Sequence, residues 1–194
     1  MPHVGLTPER LVEDACVLTD EVGIDGVTLS LLARRAGVRT ASLYAHVRNL
    51  GDLRIRVTVR VLAELADRVA GALAGRSGRD ALAALAGAYR AYAAEHPGRY
   101  AAARLPLDTP TARASAGPRH TELTAAVLRG YDLPETEHVH AVRLLGATIH
   151  GYVELQRSGA FAHSAPGADA SWERAIDALD QLLRHWPAPV KENS

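Results

Sequence analysis

The stretch TLSLLARRAGVRTASLYAHVRNLGDL, residues 28–53, contains two short segments with helical patterning on either side of a glycine. Thr28 belongs to a residue type that caps helices, and the first segment, Leu29–Ala36, ends directly before Gly37. The second segment is expected to form a helix over residues 40–46. Because Gly37 can adopt a positive φ, the pattern predicts two short helices joined by a tight turn.

The apolar positions of this stretch fit a helix-turn-helix. Ala33 is small enough for two helices to cross closely, and Val38 follows the turn, where an apolar side chain fills the gap between them. Leu43 and Val47 are expected to anchor the second helix. The side chains expected on its outer side are polar, namely Arg39, Thr40, Ser42, Tyr44 and His46.

Charge is segregated along the N-terminal part of the chain, although the whole chain has a formal net charge of zero. Residues 1–25 contain one arginine and six acidic residues, a formal charge of −5, whereas residues 26–60 contain seven arginines and one aspartate, a formal charge of +6. Positive charge confined to a short folded stretch is expected for phosphate binding, and the alternative is an ordinary solvated face. Arg54, Arg56 and Arg60 are expected to pair with the acidic first helix.

Composition narrows the class of protein. The single Cys16 lies in an apolar helical pattern and is expected in the core, which fits a reducing compartment. No apolar run approaches the roughly 20 residues that span a bilayer, and the N-terminus does not resemble a secretion signal, so a cytoplasmic protein without membrane association is expected. We predict neither a cofactor nor a metal site, since His138 and His140 point to different sides of a helix.

The rest of the chain also favours helices and no strands. Thr7-Pro8-Glu9 opens a first helix that ends near Gly23 and Gly26, and a fourth helix follows the helix-turn-helix. We predict an all-α fold of about nine helices, with a DNA-binding domain at 1–50 and an effector-binding and dimerisation domain at 51–194. Residues 106–118 are expected to form a loop. The remaining long helices are predicted at about 79–95, 118–129, 134–158 and 169–185.

The run GVTLSLLARRAGVRTASLYAHVRNLGDL resembles the tetracycline-repressor (TetR) family of bacterial transcriptional regulators, above all in LARRAGV, SLYAHV and the acid-Leu pair. The resemblance implies that the helix at 40–46 enters the major groove of DNA. Family members commonly have lysine at the position of Leu50, so Arg48 is expected to contact a phosphate in its place. The other residues implied on or beside the DNA-facing surface are Thr28, Ser30, Arg39, Thr40, Ser42, Tyr44 and His46.

Two later stretches, YRAYAAEHPGRYAAAR (89–104) and LLGATIHGYVELQRSGAF (144–161), resemble the WHG class of C-terminal regions in the same family. His150-Gly151 matches that class, whereas its usual preceding tryptophan is absent. The resemblance implies a ligand-sensing fold without naming the ligand. Aromatic and imidazole groups that could line an apolar effector pocket, or else fill a core, are Tyr89, Tyr92, Tyr100, Tyr131, His150 and Tyr152.

The last two long helices have broad apolar faces that could meet their symmetry mates in a dimer. The predicted centre of that interface consists of Leu145, Ile149, Val153, Leu179 and Leu183, and the alternative is burial of these residues within one subunit. The sequence thus predicts a homodimeric, ligand-released repressor that binds a palindromic operator in double-stranded DNA. The alternatives are a regulator of the same fold without an effector or controlled by a protein partner; an enzyme is not expected.

Overall fold

A computed structural model describes residues 6–187, and every regular element in that part of the chain is helical. The predicted all-α class is confirmed, with ten α-helices and one 3₁₀ turn at Glu135–Glu137. The helices are α1 (Pro8–Gly26), α2 (Leu29–Ala36), α3 (Thr40–Leu43), α4 (Leu50–Leu73), α5 (Gly78–Glu95), α6 (Pro97–Ala102), α7 (Thr109–Ala114), α8 (Gly117–Leu128), α9 (His138–Arg157) and α10 (Ala168–Arg184).

The helix starts follow from local capping chemistry. The Thr7 hydroxyl accepts a hydrogen bond from the Arg10 N–H at 3.2 Å, and the Thr28 hydroxyl accepts one from the Leu31 N–H at 3.1 Å. Gly23 has a φ of 72° inside α1, so the helix is kinked there and continues to its last residue. The starts of α1 and α2 therefore agree with the sequence prediction. The predicted end of α1, near Gly23 and Gly26, lies in the last turn of the observed helix.

The chain divides into two compact units, and the three boundaries between them fall within α4, α5 and α8. Within the described part of the chain, the first unit contains residues 6–66 and 92–118, and the second contains 67–91 and 119–187. The first unit therefore includes α6 and α7 as well as the helix-turn-helix. The predicted boundary at residue 50 separates a DNA-binding domain from an effector-binding domain, which is a division by function and not by compact units. It stays a prediction.

In the first unit α6 packs on α1 at very close range. A Cβ atom added at Gly98 would lie 1.8 Å from the carbonyl oxygen of Thr19, a distance that no side chain tolerates. Gly98 therefore allows the two helix backbones to touch. On the other side of the unit, the buried Thr58 hydroxyl donates to the Ala102 carbonyl at 3.0 Å and fixes α6 against α4.

The predicted loop at residues 106–118 is wrong. The segment contains α7 and the start of α8. The Asp108 carboxylate accepts a hydrogen bond from the Thr111 N–H at 2.8 Å, and Pro110 lies in the first turn, where its missing N–H is no disadvantage. Asp108-Thr109-Pro110 thus starts a helix, although the same residue types are common in loops.

The five residues predicted at the centre of a dimer interface are instead buried within the chain. Their exposure ranges from 0 to 7%, so these side chains have almost no surface left for a second subunit. The burial supports the alternative, in which they fill the core of the second unit. The residues are Leu145, Ile149, Val153, Leu179 and Leu183.

Candidate nucleic-acid interface

The turn between α2 and α3 has the geometry that the sequence predicts. Gly37 adopts φ 68° and ψ 28°, the left-handed region that glycine tolerates best. Its N–H donates to the Arg34 carbonyl at 3.2 Å, and the Val38 N–H donates to the Ala33 carbonyl at 3.0 Å. These two bonds form a Schellman motif, which satisfies the last carbonyls of α2 and reverses the chain sharply.

The packing that holds the two helices also agrees with the prediction. Ala33 is 2% exposed at the helix crossing, Leu43 is completely buried and Val47 is 2% exposed. Val38 is half-buried after the turn. The core face of the helix-turn-helix is therefore closed, and the polar positions between these anchors are left on the opposite face.

The second helix is shorter than predicted. It ends at Leu43, and residues 44–46 form a turn rather than continuing the helix to His46. The reason is a tightening of the backbone, because the N–H groups of His46 and Val47 both donate to the Leu43 carbonyl, at 2.9 and 3.0 Å. The three-residue turn keeps Leu43 and Val47 in the core while Tyr44 lies outside it.

Tyr44 is the most unusual side chain on this face. It is 57% exposed, although tyrosine generally buries most of its ring. Of the other predicted DNA contacts, Thr40 and His46 are half-buried and the rest are exposed, namely Thr28, Ser30, Arg39, Ser42 and Arg48. All eight therefore have some accessible surface, and their contacts with DNA stay a prediction.

Most of the arginines in the basic block are engaged in ion pairs. Five of the seven contact carboxylates, which come from α1 in three cases and from Asp52 in two. The prediction that Arg54 and Arg60 pair with the first helix agrees with this geometry, whereas Arg56 pairs with Asp52 of its own helix. The pairs and their N···O distances are Arg35–Glu21 2.8 Å, Arg54–Asp25 3.6 Å, Arg60–Glu13 3.4 Å, Arg48–Asp52 3.1 Å and Arg56–Asp52 3.1 Å.

Segregation of charge in the sequence is therefore largely cancelled in space. The acidic and basic segments face each other within the first unit, so their charges offset one another. Each exposed ion pair adds only about 0–1 kcal/mol to the free energy of unfolding. Arg34 and Arg39 are exposed, and neither takes part in an ion pair among residues 6–187. The formal charge of +6 thus overstates the positive charge that this surface presents.

Asp52 connects the end of the helix-turn-helix to α4. Its carboxylate is 8% exposed and accepts hydrogen bonds from the Arg48 backbone N–H at 3.0 Å and from Arg48 Nη2 at 3.1 Å. Burial raises the pKa of Asp52, but the Arg48 hydrogen bonds and the Arg56 charge together hold it below its ordinary value. The carboxylate is therefore ionised and held in place at neutral pH.

A second network of charged groups lies where α6 meets α1 and α4. Arg99 is 8% exposed, and its guanidinium contacts Asp20 at 2.9 Å and Glu64 at 3.2 Å. Asp20 also accepts from the Arg99 N–H at 2.9 Å and lies 3.0 Å from His96 Nδ1. The network was not predicted from the sequence, although Pro97 at a helix start and Gly98 beside it are signals of a helix that approaches another backbone closely.

Cys16 lies in the core, as its apolar pattern predicts, and beside this network. The residue is completely buried, and its carbonyl accepts a hydrogen bond from Arg99 Nε at 3.4 Å. Burial raises the pKa of the Cys16 thiol to about 12, which keeps it protonated. The buried position and the protonated thiol fit a core residue rather than a reactive thiol.

Comparisons with known proteins agree with this architecture. Residues 82–179 match the model of a family described as tetracyclin repressor-like, C-terminal domain. The chain is 37% identical over 161 residues to an uncharacterized HTH-type transcriptional regulator of Mycobacterium tuberculosis, which covers 79% of this chain and 72% of that protein. It is 32% identical over 181 residues to a similarly described regulator of Bacillus subtilis, with 93% and 89% covered.

The chain belongs to the TetR family of transcriptional regulators. Among solved structures, this regulator is similar to a Rhodococcus sp. RHA1 protein, with a TM-score of 0.79 and 25% identity over 95% of this chain and 99% of that one. It is also similar to a TetR variant from Acinetobacter baumannii AYE in complex with minocycline. The TM-score is 0.70 at 22% identity, and the match covers 95% of this chain and 100% of that one. At that identity the likeness concerns the fold. Membership of the family identifies the protein as a DNA-binding transcriptional regulator of the helix-turn-helix type.

The aromatic residues predicted to line an effector pocket fall in both units of the regulator. Tyr92 and Tyr100, each 1% exposed, belong to the first unit, and the other four belong to the second. In the second unit the Tyr131 hydroxyl donates to Asp180 at 2.8 Å, and the Tyr152 hydroxyl donates to the Ala168 carbonyl at 2.6 Å. These two hydroxyls have structural partners.

Tyr89 is in a different situation. Its hydroxyl is 2.6 Å from His120 Nδ1, and the His150 ring lies edge-on to the Tyr89 ring with 5.2 Å between centroids. Tyr89 is 8% exposed, and both histidines are half-buried. His120 was not among the predicted residues, because nothing in the sequence indicates that α8 packs beside Tyr89 of α5 and His150 of α9.

Two further findings concern other classes of site. Within residues 6–187 no helix is long and apolar enough to cross a membrane. The same part of the chain contains no cluster of three or more histidine, cysteine, aspartate or glutamate side chains arranged to hold a metal ion.

Proposed function

We propose that this regulator is a homodimeric repressor that binds a palindromic operator and leaves it when a small apolar effector binds. The observation that carries the proposal is the exposed Tyr44, which projects from a closed helix-turn-helix whose neighbouring polar side chains are also accessible. An amphipathic ring at this position can pack on the DNA backbone while its hydroxyl donates to a phosphate. We propose residues 1–50 as the DNA-reading part and 51–194 as the part that dimerises and binds the effector.

The expected DNA contacts divide into two kinds. Thr40 and Ser42, with Arg39, are expected to contact base edges, and Tyr44, His46 and Arg48 are expected to contact phosphates. Thr28 and Ser30 at the start of α2 complete the surface. Thr28 already uses its hydroxyl oxygen as a helix cap, so its contribution to a phosphate contact is through the hydroxyl hydrogen.

The contact test uses a short fluorescein-labelled duplex that the wild-type protein selects from a random-sequence library. Tyr44→Phe removes one hydroxyl from a phosphate contact, and we expect about a tenfold loss of affinity in fluorescence anisotropy. Tyr152→Phe removes a hydroxyl with an internal partner and is the matched control, with unchanged DNA affinity. Equal affinity of Tyr44→Phe and the wild-type protein would place the recognition surface elsewhere.

Dimerisation is proposed to use a face of α9 beside the one that the sequence suggested. Small and apolar residues on this face are exposed at the helical spacing of i, i+3, i+7 and i+11, and α10 adds two more. Ala147 and Gly151 would let two helix backbones approach closely. The proposed interface residues are Leu144, Ala147, Gly151 and Leu155 of α9 with Ala178 and Leu182 of α10.

This interface can be tested by light scattering at micromolar concentration. Leu144→Glu places a charge in the proposed contact and should convert a dimer to a monomer. Val139→Glu introduces the same charge at an exposed position about 140° around the helix and should leave the dimer intact. A wild-type monomer, or a dimer that survives Leu144→Glu, would contradict the proposed face.

The proposed effector site includes Tyr89, His120 and His150. A phenol and two imidazoles beside apolar packing can orient a small apolar molecule through a few hydrogen bonds. A thermal-shift screen of apolar metabolites and drugs, followed by release of the selected duplex, tests this part. His120→Ala should reduce the response to an active compound, whereas exposed His163→Ala should not.

The second candidate is a regulator of the same fold without a small-molecule effector. The observation that favours it is the internal satisfaction of Tyr131 and Tyr152, which leaves fewer polar groups for a ligand than the sequence suggested. This candidate predicts the same DNA affinity and the same dimer, but no compound that releases the duplex. A pull-down of protein partners would then be the next experiment.

A further inference from the structure

We propose that Asp52 is a positioning residue for DNA binding, which holds Arg48 so that its guanidinium meets a phosphate at the start of α4. The inference rests on the proposed DNA contacts, because it concerns how one of them is made. Arg48 lies two residues before α4, and the carboxylate that it contacts, Asp52, is buried in the first turn of that helix.

The geometry fixes one side of Arg48 and leaves the other side accessible. Arg48 Nη2 and Nε lie 3.1 and 3.4 Å from Asp52 Oδ1, while the Arg48 side chain as a whole is 82% exposed. A guanidinium has five N–H donors in a rigid plane, so two can bind a buried carboxylate while the others face outward. The carboxylate therefore limits the freedom of a side chain that would otherwise lose considerable rotamer entropy on binding.

Asp52 is itself rigidly held. Its other oxygen, Oδ2, accepts from the Arg48 backbone N–H at 3.0 Å and from Arg56 Nη2 at 3.1 Å. Two arginines share one carboxylate, so the group of three keeps a net positive charge of one. An isolated carboxylate here would repel phosphates, whereas this arrangement presents a fixed cation.

The function of helix capping is carried by a different residue. Asn49 Oδ1 accepts a hydrogen bond from the Asp52 N–H at 2.9 Å and caps α4. The Asp52 side chain is consequently not the N-cap of its own helix. A substitution at Asn49 therefore removes the cap and leaves the Asp52 side chain intact, so it tests capping without changing the positioning residue.

The test compares DNA affinities in a double-mutant cycle with the duplex that the wild-type protein selects. Asp52→Asn and Arg48→Gln should each weaken binding about tenfold, and the double variant should bind no more weakly than either single one. Simple electrostatics predicts the opposite sign for Asp52→Asn, because removal of a negative charge should strengthen binding. Unchanged or tighter binding of Asp52→Asn would overturn the proposal, and so would fully additive losses.

Asn49→Ala is the control for helix capping. It should lower thermal stability while DNA affinity at a temperature well below unfolding stays that of the wild-type protein. If Asp52→Asn does not fold, Arg48→Lys decides the question, since lysine keeps the charge but cannot use two donors of one planar group. Affinity near that of Arg48→Gln supports positioning, and wild-type affinity contradicts it. A wild-type protein that selects and binds no duplex would remove the proposed function together with this inference.

Discussion

Two arginine–carboxylate networks in the first unit have the same chemistry and different surroundings. In the network of α6, the Arg99 side chain is 10% exposed and lies between Asp20 and Glu64. In the network of α4, Arg48 is 82% exposed and Asp52 is the buried partner. The first network buries its cation and the second buries its anion.

This difference indicates what each network can do. A largely buried arginine between two carboxylates is enclosed by its own partners, and its contribution is to hold α1, α4 and α6 together. An exposed arginine on a buried carboxylate is held at one edge and accessible at the other. We therefore expect changes in the α6 network to alter stability first, and changes in the α4 network to alter DNA binding first.

The largest effect on stability is expected for Arg99→Met. The substitution leaves Asp20 and Glu64 without their shared cation, and breaking a buried pair destabilises by about 3–5 kcal/mol. We expect the lower end, about 3 kcal/mol, because the Glu64 side chain is 27% exposed. Urea unfolding followed by circular dichroism measures it. Arg48→Met is the comparison and should change the free energy of unfolding by less than about 1 kcal/mol; similar losses in both variants would remove the distinction.

Gly98→Ala should be the next largest effect. The added Cβ meets the Thr19 carbonyl oxygen, so α6 must move away from α1, and overpacking of this kind costs about 1–3 kcal/mol. Gly87→Ala is the matched control within a helix, since nothing lies within 4 Å of its added Cβ, and it should be neutral or stabilising. Differential scanning calorimetry compares the two. Equal melting temperatures for Gly98→Ala and the wild-type protein would show that the helices can separate freely.

A smaller effect is expected in the pH dependence of stability. The pKa of Asp52 is below its ordinary value in the folded chain, so its contribution is fully present above the unfolded value of 3.8 and is lost as the pH falls through the lowered one. Asp52→Asn should lack this part of the acid destabilisation. Urea unfolding from about pH 6 down to about pH 3 gives the free energy of unfolding at each pH, and its slope against pH is compared between the wild-type protein and Asp52→Asn. Parallel curves for the two proteins would contradict the ionised, hydrogen-bonded state of Asp52.

Local patterns predicted the helix-turn-helix well because its determinants are local. The turn depends on Gly37, the crossing on Ala33 and the anchoring on Leu43 and Val47, all within fifteen residues. The predicted end of α3 at His46 was wrong, because the spacing of apolar residues is the same in a final turn of α-helix and in the non-helical turn found at residues 44–46. The ion pairs required knowledge of which helices face each other, and only the general attraction of acidic and basic segments could be foreseen.

The proposed interface on α9 illustrates a different limit of prediction from sequence. Leu144 and Leu145 are neighbours about 100° apart around the helix, and both belong to apolar stripes at helical spacing. Periodicity alone could not decide which stripe faces the core. The structure buries Leu145 completely and leaves Leu144 37% exposed. Side-chain size was no guide either, because the buried stripe also contains a small residue, Ala141.

The smallest effect is expected for Arg60→Gln. This variant tests whether an ion pair between α1 and α4 affects the stability of the fold or the affinity for DNA. The pair with Glu13 is 3.4 Å long, and both side chains are about half exposed, at 54% and 50%. Its loss should change the free energy of unfolding by about 0–1 kcal/mol, because solvent screens exposed charges and long side chains lose entropy in a fixed pair. DNA affinity should stay within about twofold of the wild-type value at the same salt concentration, since Arg60 is not among the proposed phosphate contacts. Urea unfolding and fluorescence anisotropy measure the two quantities. A large loss of affinity would mean that the DNA-facing surface extends along α4 beyond Asp52 and includes Arg60.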